Sequence, residues 1–372
     1  MRVLIAPDKF KGSISAAVAA QSIADGLREA MPDLDCTLAP IADGGEGFAE
    51  AMRFALGGEW IERLAQDSLE REVPCRYAWI ESSQTAIIEL AEASGLWRLK
   101  PEERNPLRAH TFGTGQLIRD AVERGAKKIL VGLGGSATTD GGAGLAAALG
   151  YELLTSDNDD LAPYPGDLLA LVRIEDPNAI ALPEIIAACD VQSPLLGERG
   201  TARVFSPQKG ADERSVEHLE AALAHLSEIA AESLGCDYKD VPGAGAAGGA
   251  GYGLMTFCRA KLQPGFDLVA EAIELEKKVY AADLVITGEG RLDAQTLEGK
   301  GPSGVAQMAR RHGKPVIAFA GSIDGEAEKL FDAALPIVDQ TLPLDEAMRR
   351  GAELLHRAAR RAGRFFALRT SA

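Results

Sequence analysis

From Ile129 to Gly150 an apolar run passes into Gly132-Leu133-Gly134-Gly135-Ser136-Ala137-Thr138-Thr139-Asp140-Gly141-Gly142-Ala143-Gly144 and leaves through an alanine- and leucine-rich run. A strand feeding a glycine loop feeding a helix gathers backbone N–H groups around an anion. Glycine lets the main chain approach a ligand with no Cβ in the way. Ser136, Thr138 and Thr139 add hydroxyls, and Asp140 adds a carboxylate suited to Mg2+ or to a substrate hydroxyl. The simpler reading is a tight turn that binds nothing, but such a turn needs far fewer glycines. The spacing is neither the nucleotide P-loop, since no Gly-Lys-Ser/Thr follows, nor the dinucleotide fingerprint.

Other chemistry-bearing residues fall where strands are predicted to end. Lys9 and Lys11 follow the apolar run Val3–Ala6 and can neutralise phosphate or carboxylate. Asp43 and Glu46 flank Gly44-Gly45 at a helix start, where acids also serve as plain caps. Asp190 follows Ile185–Ala188, and Lys209 is a further candidate for phosphate contact. Glu289, Arg291 and Asp293 lie in a predicted loop after Leu284–Ile286, with Lys300 close behind; an internal salt-bridge network is the lesser reading there. Basic groups and N–H donors for a phosphoryl group, a metal ligand and a group to orient a hydroxyl are the parts of phosphoryl transfer. The histidines fall mostly on predicted surface helices, and Gly134-Gly135-Ser136-Ala137-Thr138 lacks the GxSxG elbow, so histidine catalysis, a zinc site and a serine hydrolase are disfavoured.

The elements that must position these residues read as strand–helix alternation. Arg2–Ala6 is a buried first strand, and a helix through Ala16–Met31 carries Ile14, Val18, Ile23 and Leu27 on one face, with Ser13 or Ser15 as cap. The alternation is cleanest at the two ends of the chain. It predicts one α/β domain built from 1–60 and 283–372, a second α/β domain inserted over 61–282, and a cleft between them that holds the site. Pro242–Gly253, the second glycine-dense stretch, suits a close-packed substrate loop better than a linker.

Composition narrows the class. A chain of 372 residues suits two domains, and 46% hydrophobic with 25% charged residues describes a soluble globular protein. The 39 basic and 55 acidic side chains leave a net charge of −16, which argues against general nucleic-acid binding. Five cysteines with no CxxC pair point to a reducing cytoplasm, and no run suits a signal peptide or a membrane span.

Six loops, in order, carry a resemblance: Asp8-Lys9-Phe10-Lys11-Gly12-Ser13, Ala42-Asp43-Gly44-Gly45-Glu46-Gly47, Gly134 to Gly142, Asp190-Val191, Pro207-Gln208-Lys209-Gly210 and Thr287 to Asp293. Together they resemble the bacterial type I glycerate kinase family over almost the whole chain. The resemblance implies a flavodoxin-like domain with a second domain inserted, and phosphorylation of D-glycerate to 2-phosphoglycerate with ATP and Mg2+. A glycerate 3-kinase, or a kinase for another small hydroxy acid, is the alternative. It implies catalytic roles for Asp190 as base, Lys9 and Asp43. It implies substrate contacts from Lys11, Ser13, Gly44, Gly45, Glu46, Gln208, Lys209, Arg291 and Asp293. Nucleotide contacts fall to Gly134, Gly135, Ser136, Thr138, Thr139, Gly288 and Lys300, and metal ligation to Asp140 and Glu289. A monomer or homodimer acting on small molecules is expected, with no membrane or nucleic-acid partner. A non-enzymatic binding protein of the same fold is the rival that absence of ATP turnover would reveal.

Overall fold

A computed structural model describes residues 1–175, 180–293, 296 and 301–370. The chain opens with β1 (Arg2–Ile5) and β2 (Asp35–Leu38). Eight strands follow: β3 (Glu59–Gln66), β4 (Glu72–Ile80), β5 (Thr85–Glu89), β6 (Lys128–Gly132), β7 (Glu152–Leu154), β8 (Arg173–Glu175), β9 (Glu184–Ala188) and β10 (Lys261–Gln263). It closes with β11 (Leu284–Leu292), β12 (Val316–Ile323) and β13 (Ala333–Pro336). The chain divides into two compact units. The terminal unit comprises Met1–Asp43, Glu50–Gly57 and Phe266–Ala372; the inserted unit comprises Gly44–Ala49 and Gly58–Gly265.

The terminal unit holds a five-stranded sheet in the order β13-β12-β11-β1-β2, parallel throughout. Numbered within the unit alone, that is the order 2-1-3-4-5, with its switch point between β1 and β11. Central parallel strands are covered on both faces, which is why Val3, Leu4 and Ile5 are all buried. The Ala16–Ala30 helix starts at Ser15, whose hydroxyl accepts from Val18 N, and buries Ala19, Ala20, Ile23 and Leu27. It lies close against the Gly351–Thr370 helix: a Cβ on Gly26 would sit 2.3 Å from the His356 carbonyl oxygen, and one on Gly363 2.9 Å from the Ala30 Cβ.

The inserted unit holds a mixed sheet in the order β10-β9-β6-β5-β4-β3 and a small antiparallel pair, β7-β8. β5, β6, β9 and β10 run parallel, while β3 and β4 form an antiparallel edge. Its core includes Tyr77, Ile88, Ile129, Val131, Leu145, Leu223 and Phe257.

Three sequence expectations change. The boundary expected at 282/283 falls at 265/266, because Phe266 packs where a Cβ on Gly304 would come within 2.4 Å of its ring, and His312 pairs with Glu276 at 3.0 Å. Gly44–Ala49 belongs to the inserted unit rather than to 1–60: the Ala49 N–H donates to Glu89 at 2.9 Å, and a Cβ on Gly132 would sit 2.7 Å from the Gly44 carbonyl oxygen. The loop expected after Ile286 is strand as far as Leu292. It continues because β12 runs alongside it, pairing Gly288 with Phe319, Glu289 with Ala320 and Arg291 with Ser322.

Candidate functional site

In an open parallel sheet the crevice beyond the strand ends at the switch point is where ligands bind. Here that crevice is a cavity of about 820 Å³ within the terminal unit. Its charged end is built from Asp8, Lys9 and Lys11 after β1, Asp43 after β2, and Glu289, Arg291 and Asp293 at the end of β11. The backbone ties the first and last of these together: Ala6 N–H donates to Ile286 O at 2.7 Å and Asp8 N–H to Gly288 O at 2.8 Å.

The side chains form an alternating set of charges. Lys9 Nζ donates to Asp43 Oδ1 at 3.3 Å. Asp8 is nearly buried, and its Oδ1 accepts from the Lys9 backbone N–H at 2.6 Å. Its Oδ2 lies 3.0 Å from where a Cβ on Gly301 would stand, and Gly301 itself holds φ +51° and ψ −122°, backbone that favours glycine. Arg291 Nε pairs with Asp293 Oδ2 at 3.0 Å, whereas Lys11 is exposed with no acidic partner among the described residues. Thr296 is buried; its hydroxyl donates to Glu289 Oε1 at 2.8 Å and accepts from Asp293 N at 3.1 Å. Burial pushes the Glu289 carboxyl up to about 7, the Thr296 hydroxyl opposes this, and Asp8, Asp293 and Asp43 add to it.

Of the residues expected to touch ligands, Lys9, Lys11, Ser13, Asp43, Glu289, Arg291 and Asp293 line this one cavity. Ser13 does so with its hydroxyl already committed, donating to Met348 O at 2.5 Å. Gly288 serves the sheet: a Cβ there would stand 2.3 Å from Phe319 O, and its own carbonyl takes the Asp8 N–H. Lys300 lies outside the described residues. The sequence assigns no role to Asp8, which only opens the first of the quoted loops, or to Thr296. Asp8 had a signal, standing beside Lys9 at the end of the first strand; Thr296 had none, because its role depends on reaching back to Glu289.

The inserted unit holds the other candidates, and several of them face inward. Ser136, Thr138, Thr139 and Asp140 are buried, and only Gly134 and Gly135 of that loop open to solvent. Asp140 is not an open metal ligand. Its Oδ2 accepts from Thr111 N at 2.8 Å, Thr111 Oγ1 at 2.7 Å and Gly144 N at 3.0 Å, and its Oδ1 from Gly142 N at 3.3 Å. One carboxylate thereby satisfies the starts of the Phe112–Glu123 and Ala143–Ala148 helices. Lys209 is not an open phosphate contact either: it is buried, and its Nζ donates to Ser136 Oγ at 2.8 Å and Thr138 O at 2.6 Å. Burial pulls its ammonium down to about 7, against the nearby Asp140 charge.

The two glycine-dense stretches explain each other. Gly141 N–H donates to Gly248 O at 3.1 Å; a Cβ on Gly248 would stand 1.7 Å from Thr138 O, and one on Gly253 2.6 Å from the Gly142 Cα. Pro242–Gly253, expected as a substrate loop, is therefore backbone packed on backbone, with Ala247, Gly248 and Gly249 at positive φ inside the Ala246–Cys258 helix. Gly134 is likewise bare because Gly45 lies against it, a Cβ on Gly134 falling 2.5 Å from the Gly45 Cα. Gly44 is buried beside Ala188, while Glu46 and Gln208 are exposed. Asp190 follows β9, with Oδ1 accepting from Gly265 N at 3.1 Å. Among the described residues no cluster of three or more His, Cys, Asp or Glu side chains has the geometry of a metal cage, and no helix is long and apolar enough to cross a membrane.

Fold and cavity together define a two-unit α/β protein with a charged crevice at the strand ends of its terminal unit. The model of the Glycerate kinase family matches residues 3–367. The chain is 45% identical over 366 residues to the glycerate kinase of Halalkalibacterium halodurans, covering 96% of each chain. It is 42% identical over 368 residues to the glycerate 2-kinase of Escherichia coli K12, covering 97% of this chain and 96% of that one. A crystal structure from Salmonella typhimurium LT2 that bears the name glycerate kinase 2 superposes with a TM-score of 0.91 at 40% identity, covering 100% of both chains. The chain belongs to the glycerate kinase family, and it is a kinase-type enzyme.

Proposed function

We propose that the protein transfers the γ-phosphoryl group of ATP to the 2-hydroxyl of D-glycerate, giving 2-phosphoglycerate. The observation that carries this reading is the switch-point cavity, where Lys9, Lys11 and Arg291 stand among Asp43, Glu289 and Asp293. Basic side chains there match the glycerate carboxylate and the phosphates; the acids match hydroxyls and a hard cation. Family membership and the name of the E. coli relative support the same reaction and position. The 2-1-3-4-5 strand order supports reading the terminal unit as flavodoxin-like.

The donor set fits Mg2+. Asp8, Asp43, Glu289 and Asp293 are all oxygen donors, and Mg2+ commonly uses one or two carboxylates together with substrate phosphates rather than a full protein cage. Glu289 is the candidate ligand, and the bound ion would neutralise charge developing on the phosphoryl oxygens. Lys9 and Lys11 hold anionic groups, and Asp43 fixes the Lys9 ammonium. Asp190 is the candidate acceptor of the hydroxyl proton. Because the hydroxyl is far from ionised at neutral pH, the base need only take the proton as the bond to phosphorus forms. Gly134 and Gly135, the open part of the glycine loop, are candidates for phosphate contact through their N–H groups. Five free cysteines support a reducing, cytoplasmic setting, with the enzyme acting as monomer or homodimer.

Phosphorus NMR of a mixture of the purified protein, Mg2+-ATP and D-glycerate tests the reading. A 2-phosphoglycerate signal is expected. A 3-phosphoglycerate signal would keep the kinase and overturn the position. No phosphorylated glycerate from folded protein would overturn the substrate and call for a panel of small hydroxy acids.

A further inference from the structure

The switch-point cavity has two chemically different ends. Away from the charged end, its wall is made by Phe10, Ile337, Val338, Leu344, Ala347 and Met348. A volume of about 820 Å³ is that of a site for a drug-sized ligand, far more than a three-carbon acid fills. The two ends are one continuous wall. Gly12, at φ +73°, leaves room for Met348, whose Cε lies 2.6 Å from where a Cβ would stand, and Ser13 Oγ donates to Met348 O at 2.5 Å. The basic loop carrying Lys9 and Lys11 is thus fastened directly to the helix Leu344–Arg349 that carries the apolar groups. Leu344 is 77% exposed at the rim, an aliphatic side chain with nothing covering it among the described residues.

We propose that this apolar end, beyond the strand ends of β12 and β13, holds the adenine base of the nucleotide, with its phosphates directed toward Lys9, Lys11 and Arg291. The inference rests on ATP being the phosphoryl donor. A nucleotide is the one reactant in that scheme with both a flat aromatic body, whose faces pack on apolar side chains, and an anionic chain, which matches the cavity's two ends. Val338 and Leu344 offer aliphatic surface to the faces of the base, over the buried Ile337 beneath them, and the Met348 thioether suits an aromatic edge.

The test uses binding in the absence of any acceptor acid. Ala347→Trp fills the apolar end from a part-buried position on the helix, and Leu344→Asp replaces its exposed apolar rim with a charge. Titration calorimetry with ADP and with inorganic pyrophosphate, which lacks the base, reads the two ends separately. Both variants are expected to weaken ADP at least about tenfold while leaving pyrophosphate within about twofold, with melting temperatures near wild type and the KM for glycerate little changed. Unchanged ADP affinity, or equal losses for ADP and pyrophosphate, would overturn the inference. A raised KM for glycerate with ADP affinity intact would assign this end to the acid instead. ADP weakened selectively in a protein that phosphorylates no glycerate would leave the base pocket standing and overturn only the substrate reading.

Discussion

Lys209 and Ser136 are joined by a buried hydrogen bond of 2.8 Å, from the ammonium nitrogen of a lysine that is 2% exposed to the hydroxyl of a loop that was expected to face a nucleotide. The same nitrogen donates to the Thr138 carbonyl at 2.6 Å. Lys209 therefore shapes the glycine loop from inside, and the loop presents only Gly134 and Gly135 to solvent.

Replacing Lys209 by Met removes both bonds and leaves a buried hydroxyl and carbonyl without that donor. A loss of about 1–3 kcal/mol is expected, and urea unfolding of the two proteins measures it. A variant as stable as wild type would show that the loop holds its shape without the lysine.

The stability contributed at this position depends on pH. Burial lowers Lys209 from 10.5 to about 7 in the folded protein. Between those values the unfolded chain binds more protons than the folded one, so stability rises with pH from about 7 toward 10.5, and below about 7 the cost of the buried ammonium is present in full. Unfolding free energies of wild type minus Lys209→Met, measured from pH 6.5 to 10, are expected to climb across that window. A difference that stays flat would mean the amine is not shifted.

Asp140→Asn turns one acceptor oxygen of the double helix cap into a donor facing N–H groups. It is expected to destabilise by about 2–4 kcal/mol whichever way the amide sits, because four donors lose their charged partner. Mg2+ affinity of the folded fraction is expected to be unchanged; loss of Mg2+ binding at full stability would restore Asp140 as a ligand.

Gly134→Ala places a Cβ 2.5 Å from the Gly45 Cα, backbone against backbone. A cost of about 1–3 kcal/mol from overpacking is expected in thermal melts. An alanine tolerated without loss would mean that the two glycine loops do not meet as described.

Lys9→Met keeps the length of the side chain and removes the charge that Asp43 holds. Turnover with ATP and glycerate is expected to fall on the order of 100-fold, with an unchanged melting temperature. Near-normal kcat and KM would remove Lys9 from the site.

What the sequence alone determined is the class and the position of the parts. Alternation of apolar runs and helix-length amphipathic segments at the two ends was enough for an α/β unit built from both termini, because parallel strands and their crossover helices leave periodic patterns in local sequence. The charged loop after β1 was legible for the same reason, since it stands where a strand ends, whereas Glu289 and Arg291 belong to the last residues of β11 itself. Tertiary structure decided which of the candidates line a cavity and which are buried. Glycine permits close approach whatever approaches: Gly248, Gly253 and Gly45 come against Thr138, Gly142 and Gly134, while Gly134 and Gly135 keep an open side. Charge is equally silent about direction: Lys209 and Asp140 turn inward to each other's neighbourhood, while Lys9, Asp43 and Glu289 converge on a cavity from segments up to 280 residues apart (289 minus 9). That convergence comes from the pairing of β11 beside β1, a contact between the two ends of the chain for which neither end carries a local signal.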